Sequence, residues 1–121
     1  MSVVTPLQVE ARLKDLSGLI DDAHDDLVNA EAEYHILKAN YEIAMAEKRI
    51  ELSRTSSPTG KNYTIGERDD LALLANREAH QRIGAAEAVV KANRANVARL
   101  RVQVDIARSI GTSVRTGVDA S

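Results

Sequence analysis

Apolar residues recur at alternating spacings of three and four along almost the whole chain, with one interruption. In the first half this main seam comprises Val9, Leu13, Leu16, Ile20, Ala23, Leu27, Ala30, Tyr34, Leu37, Tyr41 and Ala44. In the second half it comprises Ala72, Asn76, Ala79, Ile83, Ala86, Val90, Asn93, Val97, Leu100, Val104 and Ala107. A mean spacing of about 3.5 residues is the period of a coiled coil, whereas strands alternate every two residues. The pattern therefore predicts an all-α protein with two long helices.

Capping signals mark where these helices begin. Thr5 and Gln8 form a capping box around Pro6, which suits the first position of a helix. Thr64 and Glu67 form a second capping box after a polar Ser-, Thr-, Pro- and Gly-containing stretch.

The ends of the elements follow from the same local signals. Gly111 is expected to stop the second helix, because glycine readily adopts the backbone conformation that ends a helix. We predict one helical-hairpin domain over residues 1–121, with a helix at 6–52, a loop at 53–63, a helix at 65–110 and a disordered tail at 111–121.

Two helices of similar length joined by a short loop should fold back as an antiparallel coiled-coil hairpin. With the turn near residue 58, the predicted facing pairs are Glu33 with Arg82, Glu10 with Arg108, Arg94 with His24 and Arg101 with Ser17. Exposed ion pairs contribute only about 0–1 kcal/mol each, so the apolar seam must supply most of the stability. Asn76 and Asn93 lie inside the main seam and are expected to set its register.

A second apolar pattern, the outer stripe, lies on the opposite face of each helix. Its members are Ala32, Ile36, Ala39, Ile43, Ala46 and Ile50 in the first half, and Leu71, Leu74, Ala85, Ala88, Ala92, Ala95, Val102 and Ile106 in the second. One hairpin buries one seam per helix, and a long exposed apolar stripe marks an interface. The stripe predicts a homo-oligomer, with an interface formed by Ile36, Ile43, Ile50, Ala85, Ala88, Ala92 and Ala95.

Composition narrows the class of protein. The chain of 121 residues contains no Cys, Phe or Trp, which excludes a disulfide framework and thiolate metal sites. We find neither a secretory signal pattern nor an apolar run of the roughly 18 residues that a membrane span needs. These features predict a cytoplasmic location with no membrane partner.

Residues suited to catalysis or metal binding do not occur in a productive pattern. Asp21, Asp22, Asp25 and Asp26 form an acidic patch without a second cluster opposite, and His24, His35 and His80 lack the Glu-x-x-His spacing of a di-metal bundle. Gly60 and Lys61 lack the remaining residues of a phosphate-binding loop. We therefore expect no enzymatic activity, no catalytic residue, no metal and no cofactor.

The positive charge is concentrated in the second half of the chain. Residues 1–50 contain 10 acidic and 5 basic side chains, whereas residues 51–121 contain 8 acidic and 11 basic ones. Arginine recurs every seven residues, at Arg94, Arg101, Arg108 and Arg115, and we name this set the arginine column. Such a column suits phosphate contacts along a nucleic-acid backbone. Salt bridges between subunits or a solvated edge are the alternative explanation, and the sequence favours it slightly.

The candidate nucleic-acid contacts are Lys91, Arg94, Arg99, Arg101 and Arg108, with Arg54, Lys61 and Arg68 at the turn. Because aromatic residues are scarce, base stacking would contribute little, and binding would depend on phosphates and on salt.

The layout also resembles that of small coiled-coil proteins of bacteriophages. The resemblance is carried by residues 34–44 (YHILKANYEIA), the polar turn, the Thr64-x-x-Glu67-Arg68 restart and residues 104–109 (VDIARS). This plan, over about residues 10–110, is similar to recombination mediators of the UvsY type. The resemblance implies hairpins that assemble into rings, bind single-stranded DNA and help a RecA-like recombinase to displace single-strand-binding protein.

Two other functions fit the same residues. A structural or adaptor coiled coil, such as a phage assembly factor, explains both seams and needs no nucleic acid. A small helical inhibitor or ligand-sequestering protein would need a pocket between subunits.

Overall fold

The computed structural model describes residues 4–120, and the side chains up to residue 117. In this part of the chain three helices follow one another: α1 (Pro6–Ser53), α2 (Ile65–Ala75) and α3 (Arg77–Ala120). No strand occurs among these residues, and the predicted all-α class is confirmed. The chain divides into two compact units, unit 1 (Met1–Asn29 with Lys91–Ser121) and unit 2 (Ala30–Val90). That the chain forms one domain stays a prediction.

Both predicted capping boxes are present. At the start of α1, the Thr5 backbone N–H donates to Gln8 Oε1 over 2.9 Å, and the Gln8 N–H donates to Thr5 Oγ1 over 3.2 Å. At the start of α2, Thr64 and Glu67 exchange the same two bonds, each over 3.1 Å. These bonds satisfy amides that the first turn of a helix leaves without partners.

The core of unit 1 is built from the main seam. Its buried members are Leu16, Ala23, Val97, Leu100 and Ala107, and Leu13, Ile20, Leu27 and Val104 pack against them. The two helices are antiparallel in this unit. Gly111, late in α3, lies against Val9 at the start of α1, and Arg12 Nη2 donates a hydrogen bond to Gln103 Oε1. The hydrophobic periodicity therefore correctly identifies the face through which the two long helices pack.

Unit 2 is held by contacts of α1 with α2 and α3. Met45, Leu52, Ala72 and Val90 are buried. The Tyr41 and His80 rings lie 5.6 Å apart, and Arg49 Nε donates to Asp69 Oδ1 over 2.8 Å. The contacts again run in opposite chain directions, as expected of an antiparallel hairpin.

The predicted second helix is interrupted at Asn76, which corrects the expectation of one helix over 65–110. Asn76 has φ −114° and ψ 20°, and it ends α2 one residue before α3 begins. Its side-chain amide donates to the Ala72 carbonyl over 2.9 Å and contacts Met45 Sδ at 3.8 Å. An Asn amide that bonds a nearby carbonyl competes with regular helix bonding, so this seam position breaks the helix.

Gly111 does not end the helix, and the predicted disordered tail is wrong for the residues described. Helix α3 continues to Ala120, while Ser121 lies outside the described residues. Gly111 is buried, and a Cβ atom placed on it would lie 2.9 Å from Val9 Cγ1. The glycine therefore serves close helix approach, a tertiary role that a local stop signal does not reveal.

The loop between α1 and α2 is a tight reversal. Ser57 donates its N–H to the Lys61 carbonyl over 2.8 Å, and Ser56 and Asn62 form an isolated antiparallel bridge. Gly60 adopts φ 80°, the left-handed conformation that favours glycine at this turn.

Candidate nucleic-acid and assembly surfaces

The arginine column lies on the outside of α3. Arg94, Arg101, Arg108 and Arg115 are all exposed, as are Lys91 and Arg99. A spacing of seven residues returns a side chain to nearly the same face after two turns, so the four guanidinium groups follow one edge of the helix. The side chains predicted to contact nucleic acid on α3 are therefore all exposed to solvent.

Arg101 is held by α1 within unit 1. Its Nη2 lies 3.3 Å from His24 Nε2. Because a guanidinium group only donates hydrogen bonds, His24 Nε2 is the acceptor in this contact. The predicted pairing placed Arg101 opposite Ser17 and Arg94 opposite His24. The structure corrects this, because it is Arg101 that contacts His24.

The other predicted contacts on α3 differ in their surroundings. Arg99 Nη2 donates to Asn96 Oδ1 over 2.8 Å, a contact within one turn of α3. Arg108 and Arg115 line a small cavity of about 110 Å³ that Glu10 also lines. Glu10 and Arg108 are therefore neighbours, as the predicted pairing expected.

The basic residues at the turn differ from one another in their exposure to solvent. Arg54 and Lys61 are exposed in the loop, whereas Arg68 is half-buried on α2. Two other basic residues near the turn form salt bridges: Arg49 with Asp69 over 2.8 Å and Lys48 with Glu51 over 3.4 Å. The loop thus offers two exposed cations beside neutralised ion pairs.

The outer stripe is exposed on α1. Ile36, Ile43 and Ile50 retain 61%, 58% and 52% of their accessible surface. On α3, Ala85, Ala88, Ala92 and Ala95 are exposed, and so are Val102 and Ile106. Leu71 on α2, another member of the stripe, is half-buried. The prediction that these residues form an interface between chains stays a prediction.

A groove of about 490 Å³ opens between α1 and α3 in unit 2. Its lining comprises Ala30, Glu33, Leu37, Arg82, Ala85, Ala86 and Val89. Three of these residues are alanines, whose side chains end at Cβ and leave the space unfilled. Glu33 and Arg82 line the same groove, so the predicted neighbours are brought together around it.

Sequence reasoning missed the groove and the break beside it. Around the break, Asn76, Arg77, Glu78 and Arg82 line a second, more polar depression of about 530 Å³. Asparagine at a seam position followed by two charged residues is the only local signal for the break. The groove has no local signal, since it depends on which residues of two distant segments face each other.

The capping box at the start of α2 shifts the pKa of Glu67. Hydrogen bonds from the Thr64 backbone and side chain lower the pKa of Glu67 below its ordinary value of 4.5. Among the described residues, no group of three or more His, Cys, Asp or Glu side chains is placed to hold a metal ion. No helix in the described part of the chain is long and apolar enough to cross a membrane.

Comparison with family models, with curated proteins and with solved structures finds no significant match to this chain.

Proposed function

We propose that this protein is a non-enzymatic, oligomeric helical protein that binds single-stranded DNA and acts as a recombination mediator. The observation that carries the proposal is the exposed arginine column on α3, with Lys91 and Arg99 on the same helix. A regular row of guanidinium groups fits a phosphate backbone, which needs no base-specific groove. The resemblance to UvsY-type mediators supports the same assignment and suggests a RecA-like recombinase and single-strand-binding protein as partners.

Self-association would raise the affinity for DNA above that of a single chain. The net charge is −2, and α1 carries acidic residues that repel a phosphate backbone. Affinity per chain would therefore be weak. Several copies joined through the exposed outer stripe would present several arginine columns to one strand, and linked weak contacts raise the total affinity by their effective concentration.

The decisive experiment measures fluorescence anisotropy of labelled single-stranded DNA at low and moderate salt. The variant combines Arg94→Glu with Arg101→Glu. Each phosphate contact contributes about 0.7 to the slope of log affinity against log salt for single strands, so two lost contacts lower the slope by roughly 1.4. We expect at least a tenfold loss of affinity at low salt.

The matched control combines Lys14→Glu with Lys38→Glu on α1. Both lysines are exposed, and the change in net charge is the same. Equal losses in both variants would attribute binding to net charge rather than to the column. Unchanged affinity of the arginine variant, with helix content preserved in circular dichroism, would refute the assignment.

The second candidate is a structural or adaptor coiled coil without nucleic-acid binding. The observation that favours it is the contact of Arg101 with His24 and of Arg99 with Asn96, which gives these arginines a role inside the chain. The same titration separates the two functions. A folded, assembled protein that binds no DNA at low salt would support the adaptor.

A further inference from the structure

Within unit 1, two arginines of the column lie beside side chains of α1. Arg101 Nη2 lies 3.3 Å from Nε2 of His24, which is half-buried. Arg108 lines a small cavity together with Ser17 and Asp21 of α1. The surface that carries the column therefore includes part of α1, and His24 is a side chain of α1 that bonds one of its guanidinium groups.

The bond between Arg101 and His24 depends on the protonation state of the imidazole ring. A guanidinium group has only donors, so the bond needs a ring nitrogen that carries no proton. Histidine ordinarily changes its charge between about pH 5 and 8, and the protonated ring donates from both nitrogens. A proton taken up from solvent at Nε2 removes the acceptor and places two positive charges side by side. The two groups must then separate.

The charged groups around His24 come from both helices of unit 1. On α1 they are Asp21, one turn before the ring, and Asp25, the next residue. On α3 they are arginines of the column, namely Arg94, Arg101 and Arg108. Side chains three residues apart on a helix are neighbours, so the Asp21 carboxylate is placed to accept a hydrogen bond from the protonated ring. The protonated ring is thus drawn towards α1 and repelled by the column.

We propose that His24 is a positioning residue of the arginine column and makes its affinity for phosphate depend on pH. The unprotonated ring accepts from Arg101 and holds this guanidinium group against α1. Protonation releases Arg101, so that all of its N–H donors are open to phosphate, and adds a positive charge beside it. Affinity for a phosphate backbone then rises as the pH falls through the range in which histidine titrates. This effect on affinity rests on the proposed function, whereas the bond itself does not.

Nitrogen NMR of the imidazole rings tests the bond in the full chain without DNA. At pH 8 the ring proton of His24 must be on Nδ1, because the hydrogen bond at Nε2 selects the tautomer. Arg101→Met removes the donor and should move the Nε2 resonance of His24, while the resonances of His35 and His80 stay unchanged. A proton on Nε2 of His24 at this pH, or a resonance that Arg101→Met does not move, would overturn the proposal.

The affinity for labelled single-stranded DNA tests the release of Arg101. At constant low ionic strength we expect fluorescence anisotropy to give about threefold tighter binding at pH 6 than at pH 8, the effect of about one added phosphate contact. His24→Gln keeps an acceptor for Arg101 but does not titrate, so this variant should lose the pH dependence. His24→Lys carries a positive charge at both pH values and should bind more tightly than the wild type at pH 8.

The chain offers matched controls in its two other histidines. His35 and His80 are exposed and lie outside unit 1, so His35→Gln and His80→Gln should retain the full pH dependence. Circular dichroism at both pH values excludes unfolding as the cause of a difference.

Failure of this inference and failure of the proposed function give different results. Equal DNA affinity of the wild type at pH 6 and pH 8, or a pH dependence that persists in His24→Gln, would refute the role of His24 alone. Absence of DNA binding at both pH values would refute the proposed function and, with it, the effect of His24 on affinity.

Discussion

At the scale of single residues, the same residue type plays different roles depending on what faces it. Gly84 and Gly111 both lie within α3. A Cβ atom on Gly84 would meet nothing within 4 Å, whereas one on Gly111 would lie 2.9 Å from Val9 Cγ1. Glycine costs a helix about 1 kcal/mol relative to alanine, so only Gly111 has a structural reason to be glycine.

Alanine substitution should separate the two glycines. Gly84→Ala is expected to raise the free energy of unfolding by about 0.5–1 kcal/mol through helix propensity. Gly111→Ala should lose this gain and destabilise the protein, because the stiff Val9 side chain must move. Urea unfolding of both variants measures the difference, and equal stabilisation would show that α3 does not approach Val9 closely.

Asn76 is the second residue whose role depends on its neighbours. We expect Asn76→Leu to raise the free energy of unfolding by about 1 kcal/mol, because leucine favours the helix and suits a half-buried seam position. Helix content in circular dichroism should also rise slightly as α2 and α3 join. A destabilised variant would show that the amide bonds to Ala72 and Met45 outweigh the break.

At the scale of elements, the start of α2 depends on a reciprocal cap that carries a charge. Because the pKa of Glu67 is lower in the folded protein, the ionised carboxylate stabilises the fold at pH values above its ordinary value of 4.5. This contribution is lost as the pH falls below 4.5 and through the lower folded pKa.

The variant Glu67→Gln isolates this effect, since glutamine also completes a capping box but does not titrate. We expect the wild type to be more stable than the variant at pH 7 and the difference to shrink at pH 3. Thermal unfolding at both pH values measures it. A difference in stability that is the same at both pH values would show that the charge of Glu67 does not cause it.

At the scale of the whole molecule, the proposed self-association through the exposed outer stripe can be tested by measuring stability. If copies associate through the stripe, the melting temperature must rise with protein concentration, because association stabilises the folded state by mass action. This dependence should disappear in the variant that combines Ile36→Asp with Ile43→Asp, which should dissociate yet retain most of its helix. If light scattering gives this variant the same mass as the wild type, the outer stripe is not the interface.

Patterns in the sequence are sufficient to predict the helical class, the face of each long helix that is buried, the two capping boxes and the exposed outer stripe of α1. These features depend on periodicity and on bonds within a few residues, which local physics dictates. The break at Asn76, the burial of Gly111, the contact of Arg101 with His24 and the groove beside Arg82 are seen in the folded chain alone. The last three depend on side chains of a distant segment, whose register is set by the summed packing of two long helices rather than by any local signal. At Asn76 the local bond to the Ala72 carbonyl is joined by a contact with Met45 of α1.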